Sequence, residues 1–300
     1  MTVHGDATGA SQVDVVTAID CVTLFLGFWR GVTDEARDRI AVSWQTDYLD
    51  RLPALVQRSL RRHRFPDDLT LAGPKMAAVL ETLTARRDAV DRAARTAVRQ
   101  FADLLDCEVA PFDLVTLVGA FAADGWMEWD NRQATLLIAV EALESVEQTR
   151  VLLPHEIAHV LHFQLLADDE TWNVGDALFE EGFATALSGV GTDLSDDVLC
   201  SAGRTTTWQG EPVDDWLAGC EAAWPAIRSR LLRDFESEDE GAYRELFLGG
   251  NDNAEFPSRA GYYAGLRLIR RLAANTPWPD VVRWDRDTAR ARVLEVLRDE

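Results

Sequence analysis

The chain has 300 residues, 47% of them hydrophobic, enough for a sizeable core in one large domain or two small ones. Its 51 acidic against 30 basic residues give a formal net charge of −21, a field that repels nucleic acid and anionic membranes and favours basic or neutral peptides as partners. Lys75 is the only lysine, which leaves little scope for Schiff-base or P-loop chemistry, and Cys21, Cys107, Cys200 and Cys220 are spaced for neither a disulfide framework nor a zinc finger.

The start, MTVHGDATGASQ, lacks the basic residues and apolar run of a signal peptide. The most apolar early run, Cys21 to Trp29, falls far short of the roughly 20 residues that span a bilayer, so a cytoplasmic protein is expected. Apolar positions at three- and four-residue spacing predict helices over 12–30, 34–63 and 74–106, punctuated by Pro53 and by RFPDDLTLAGP. The Arg/Asp-rich face of 84–99 reads as a solvated helix face with i,i+4 pairs. After Pro111 the pattern changes. DLVTLVGAF (113–121) and QATLLIAVEA (133–142) read as two strands, separated by the turn-rich connector AADGWMEWDN. Helical spacing returns over 149–167, 174–190, 212–235, 258–274 and 286–298. The expected fold is α+β and predominantly helical. A helical part, 1–110, packs on a catalytic part, 111–300, in one continuous domain.

The stretch PHEIAHVLHFQ holds three of the five histidines. His155 and His159 are four apart, so they share one helix face and can grip one ion, while Glu156 can reach a water there. This is the H-E-x-x-H arrangement, in which two imidazoles bind zinc and the glutamate acts as general base. The apolar residues around it make a buried helix. Zinc then needs a third protein ligand. Metzincins place a histidine six residues after the second one, but that position is Leu165. In ALFEEGFATALSG, Glu180 and Glu181 lie in an apolar helix, where adjacent carboxylates are costly to bury without a cation.

H-E-I-A-H followed by E-E-G-F-A resembles the gluzincin metallopeptidases, most of all the small single-domain zinc-dependent proteases predicted in bacteria. The likeness covers about 150–190. It implies a zincin-like fold with a small sheet beside the active-site helix. It also implies Zn2+ held by His155, His159 and Glu181, the last directly before Gly-x-Ala, with Glu156 as base and a peptide or protein as substrate. Glu180, one position away, stays open as the alternative ligand. Gly261, Tyr262 and Gly265 are similar to a Gly-Tyr-x-x-Gly pattern in these proteins, which makes Tyr262, rather than Tyr263, the candidate donor to the developing oxyanion.

His162, seven residues after His155, reads as a polar residue at the helix end or as a neighbour of the metal. GWMEWDN resembles the Gly-x-Met-Glu-Asn of zinc aminopeptidases, in which the glutamate holds the substrate's amino group; Trp129 and Asp130 interrupt it, and a hairpin connector is the plainer reading. Metal-bound histidines usually donate their other N–H to a carboxylate. The thermolysin-like position for it is Thr185, which leaves Asp176 or a backbone carbonyl to substitute. The alternative function is a zinc-stabilised, non-catalytic interaction protein, which would close the site with a fourth protein ligand, His162 or Glu180.

Overall fold

In the computed structural model, which describes residues 15–31, 40–62, 73–121, 123–130, 133–166, 172–205, 212–249 and 255–300, the apolar runs after Pro111 are neighbouring strands. Four strands, Val16–Asp20 (β1), Phe112–Leu117 (β2), Gly125–Asp130 (β3) and Gln133–Ala139 (β4), form a mixed sheet in the order β1-β2-β4-β3. β1 runs parallel to β2 and β2 parallel to β4, with Val115 opposite Leu137, while β3 pairs antiparallel with β4, with Gly125 opposite Ile138. β2 and β4 are almost wholly buried, as expected of central strands covered on both faces.

The two edge strands correct the sequence reading. Val16–Asp20 lies where a helix from residue 12 is expected, and Gly125–Asp130 lies in the expected connector. β1 ends at Asp20, whose Oδ1 accepts the N–H groups of Val22 at 2.9 Å and Thr23 at 3.0 Å and so opens the helix α1 (Val22–Gly31). The two expected strands are also shorter than 113–121 and 133–142, ending at Leu117 and Ala139.

The helix expected over 34–63 is broken into α2 (Ile40–Ser43), a π-helical turn Trp44–Tyr48, a 3₁₀ turn Leu49–Arg51 and α3 (Ala54–Arg62); residues 32–39 and 63–72 lie outside the described residues. Tyr48 explains part of this. Its buried hydroxyl accepts the N–H of Val118 at 2.8 Å and donates to the Val118 carbonyl at 3.0 Å, pinning the first third of the chain to the end of β2. The run 74–106 is α4 (Gly73–Val79) and α5 (Leu83–Leu105) joined by a 3₁₀ turn. Its Arg/Asp face is the expected surface, with Arg95 and Asp91 paired i,i+4 at 3.0 Å, except that Arg86 is buried and donates to the Glu141 carbonyl at 3.1 Å.

The second half holds α6 (Thr149–Leu166), α7 (Val174–Ser188), α8 (Asp196–Cys200), α9 (Val213–Ala222), α10 (Trp224–Asp234), α11 (Glu240–Tyr243) with a π-helical turn Arg244–Leu248, α12 (Ala260–Ala273), α13 (Trp278–Val281) and α14 (Arg286–Asp299). The helix expected over 212–235 is split at Ala223, where Pro225 sits in the first turn of α10. One contiguous set of buried apolar side chains runs from Val16 to Leu297. All four cysteines are free, and no helix among the described residues is long and apolar enough to cross a membrane.

α6 lies beside β3 and β4, α7 packs on α6, and α12 packs on α7. The α7–α12 crossing is backbone on backbone. A Cβ built on Gly182 would stand 2.6 Å from the carbonyl carbon of Gly265, and one on Gly265 would stand 2.7 Å from Cα of Gly182. Absence of side chains at these two positions lets α7 and α12 approach closely enough to face one another across the site.

Candidate metal centre

On α6 the side chains of His155 and His159 lie one turn apart, and their Nε2 atoms are 3.2 Å from each other. α7 is apolar almost all round and buried at every position except Glu181, which alone reaches the same opening. Its Oε2 stands 3.2 Å from His155 Nε2 and 3.5 Å from His159 Nε2. Ligand atoms 2.0–2.1 Å from a tetrahedral zinc lie about 3.3 Å apart, so the triangle has the size that ion requires. Glu181 Oε2 is also buried between the two nitrogens without an aligned N–H to satisfy it. A divalent cation would satisfy all three atoms at once, and the two-histidine, one-carboxylate set suits zinc. Among the described residues this is the one group of three or more His, Cys, Asp or Glu side chains able to hold a metal ion.

The same closeness couples the side chains electrostatically as an ion pair. Burial would raise the Glu181 carboxyl, but the charge of His159 beside it holds it well below the usual carboxylate range. Burial would lower His159, and the Glu181 charge overrides it, lifting the imidazole to about 9. Glu180 points elsewhere and stays outside the group; burial, with His159 opposing, pushes its carboxyl up to about 7. Of the two adjacent glutamates, the structure brings Glu181 to the histidines.

A cavity of about 610 Å³ opens beside this group, lined by His155, Glu156 and Tyr262 among others. Burial pushes the Glu156 carboxyl up, against the two imidazoles. Gly125 explains how β3 fits there: a Cβ on it would meet Glu156 Cδ at 3.4 Å and Ile138 Cδ1 at 2.9 Å. The Tyr262 ring lies 6.2 Å from the His155 ring, whereas Tyr263, the next residue, packs against Trp224 and bonds to Arg267. Of the two tyrosines, Tyr262 faces the site.

The remaining sequence candidates lie apart from it. His162 is buried among Phe163, Phe179 and Phe183, with neither ring nitrogen hydrogen-bonded, and burial pushes it down to about 3; it is a neutral core histidine. Asp176 is taken up by the start of α7: its Oδ2 accepts the Asn173 N–H at 3.1 Å while Asn173 Oδ1 accepts the Asp176 N–H at 3.0 Å, a reciprocal cap. Thr185, one turn after Glu181, supplies the contact instead. The buried Thr185 Oγ1 lies 3.5 Å from His155 Nδ1, where it would accept the Nδ1–H once Nε2 binds a metal ion. Glu128 is buried on the face of β3 opposite Gly125 and accepts from Ser59 Oγ at 2.5 Å, so it does not offer an amine-binding carboxylate to this cavity; Asn131 lies outside the described residues.

Sequence reasoning missed Arg259, Lys75 and Asp124, which line the cavity, and Tyr243, whose hydroxyl is pushed up by burial and by the charge of Glu181. None belongs to a motif. Arg259 precedes α12 in a left-handed conformation (φ 63°), a feature invisible in sequence because arginine rarely adopts it. Comparison with protein-family models, curated proteins and solved structures returns no match for this chain.

Proposed function

We propose that this chain is a zinc-dependent hydrolase of the gluzincin type, with a zincin-like fold, that cleaves peptide bonds. One observation carries the reading: two imidazole nitrogens and one carboxylate oxygen converge at 3.2, 3.2 and 3.5 Å, next to a cavity that Glu156 lines. His155, His159 and Glu181 would hold the ion. A bound zinc would supply Lewis acidity, lowering the pKa of water towards about 7 and polarising a carbonyl.

The chain's own residues do the rest. Glu156, its carboxyl raised by burial into a better range for proton transfer, takes the proton of the attacking water at a carboxylate oxygen and later returns it to the leaving amine. Tyr262 keeps its hydroxyl protonated, because burial and the Glu181 charge push it well up, and so can donate to the developing oxyanion. Thr185 fixes the His155 ring, and β3, bare at Gly125, leaves Glu156 room. A non-catalytic zinc protein would close the site with a fourth side chain, and both candidates for it, Glu180 and His162, stand outside the group.

The test is Glu156→Gln in zinc-loaded protein, assayed against a mixed peptide library. The variant is expected to keep its zinc and lose about a hundredfold or more of the cleavage rate. A variant as active as the parent would overturn the proposed mechanism.

A further inference from the structure

The cavity beside the histidines runs against the charge of the whole chain. Among 51 acidic and 30 basic residues overall, its charged lining is Lys75, Arg204 and Arg259 against Asp124 and Glu156. Arg204 is bonded to two acids, its Nε 3.0 Å from Asp124 Oδ2 and its Nη1 3.3 Å from Glu144 Oε1, so it adds no net positive charge to the cavity. The other two cations of the lining are Lys75 and Arg259, on the same cavity wall as Glu156, the general base of the proposed reaction.

Arg259 is held in place by unusual means. Its backbone is left-handed, a conformation that a non-glycine residue rarely adopts and that persists where surroundings enforce it. Its guanidinium lies 4.6 Å from the centre of the Tyr262 ring, and that ring lies 6.2 Å from His155. A planar cation thus sits over the ring of the proposed oxyanion donor. A guanidinium has five N–H donors in a fork that matches a carboxylate, so a substrate group can be added to the contacts Arg259 already makes. Lys75, exposed on α4, carries a second positive charge to the same cavity, its ammonium 5.9 Å from the centre of the Phe121 ring. Phe121 and Ala120 are themselves left-handed, at φ 62° and 55°, and buried Glu141 holds that turn by accepting the N–H groups of Gly119 and Phe121.

We propose that this site selects substrates carrying a carboxylate close to the scissile carbonyl, received by Arg259 with Lys75 assisting. The inference rests on the hydrolase reading above and reverses the preference for basic or neutral peptides that net charge suggests. An acidic side chain and a free carboxyl terminus offer the same chemistry, and the test separates them.

Three malonyl monohydroxamates, which anchor on the metal, are titrated calorimetrically into the zinc-loaded full chain: one ending in alaninamide, one in alanine with a free carboxyl group, one in aspartamide with a free side-chain carboxyl group. One of the two acids is expected to bind about tenfold tighter than the neutral compound, which identifies the source. That advantage is expected to vanish in Arg259→Gln and shrink in Lys75→Gln, while the neutral compound binds all three proteins alike. Lys75 is exposed, so its variant serves even where Arg259→Gln perturbs the start of α12. Equal binding of the three compounds by the unmodified chain would overturn the selectivity and leave the zinc reading standing. A chain that takes up no zinc and binds none of them would overturn both.

Discussion

Gly182→Ala tests the crossing that sets Glu181 on α7 against Tyr262 on α12. The added Cβ would lie 2.6 Å from the Gly265 carbonyl carbon and 2.7 Å from its Cα and carbonyl oxygen, where ordinary contact begins at 3.4 Å. The shortfall of about 0.8 Å (3.4 minus 2.6) is against backbone, so no rotamer relieves it, and the two helices must separate. Alanine recovers about 1 kcal/mol of helix propensity, whereas overpacking costs about 1–3 kcal/mol, and rigid neighbours on the far side favour the upper part of that range. The expected net loss is about 1–2 kcal/mol, read as a midpoint shift in urea at constant slope, with Tm lowered by several degrees. Gly265→Ala should behave alike, and the double variant should lose less than the sum, because the first substitution already opens the gap. A Gly182→Ala chain about 1 kcal/mol more stable than the parent would show propensity acting alone and would refute the close crossing.

Glu141→Gln should uncover a pH-dependent strain. Burial, opposed by the N–H groups of Phe121 and Gly119, pushes Glu141 from 4.5 up to about 7, so the folded chain binds more protons than the unfolded chain between those values. Stability from this group is therefore lost as pH rises from 4.5 to about 7, up to roughly 3 kcal/mol, and the glutamine, which keeps the acceptor and has no proton to lose, should gain on the parent by that order between pH 5 and 8. Equal pH dependence of the two in urea titrations would show that Glu141 titrates normally. Tyr262→Phe should keep its zinc and lower kcat about a hundredfold with little change in KM. An unchanged kcat would move the donor to Tyr243, the other hydroxyl that feels the Glu181 charge.

Sequence pattern carried the site further than the fold around it. The spacing of His155 and His159 needs only one regular helix and is legible locally, whereas the preference for Glu181 over Glu180 came from the likeness to gluzincins, and it is the packing of α7 on α6 that brings Glu181 to the histidines. The edge strands were hidden for a different reason. VTAID is five residues long and adjoins an apolar run with helical spacing, and GWMEWD carries the glycine and aspartates of a turn; their strand character comes from pairing with β2 and β4, which one segment's composition does not record. Thr185 looked like a missing carboxylate in the sequence and is a neighbour of His155 in the folded chain. Lys75 on α4 and Arg259, just before α12, reach the cavity from positions 184 residues apart in the chain (259 minus 75), a juxtaposition set by tertiary packing alone.

The most direct measurement of the central claim is the zinc content of the chain purified without chelator, beside that of Glu181→Ala. About one zinc per chain is expected, lost or greatly weakened in the variant, because two imidazoles alone hold zinc poorly. Zinc that survives the substitution unchanged would contradict the His155–His159–Glu181 site, and a chain that takes up no zinc even when it is added back would contradict the enzyme itself.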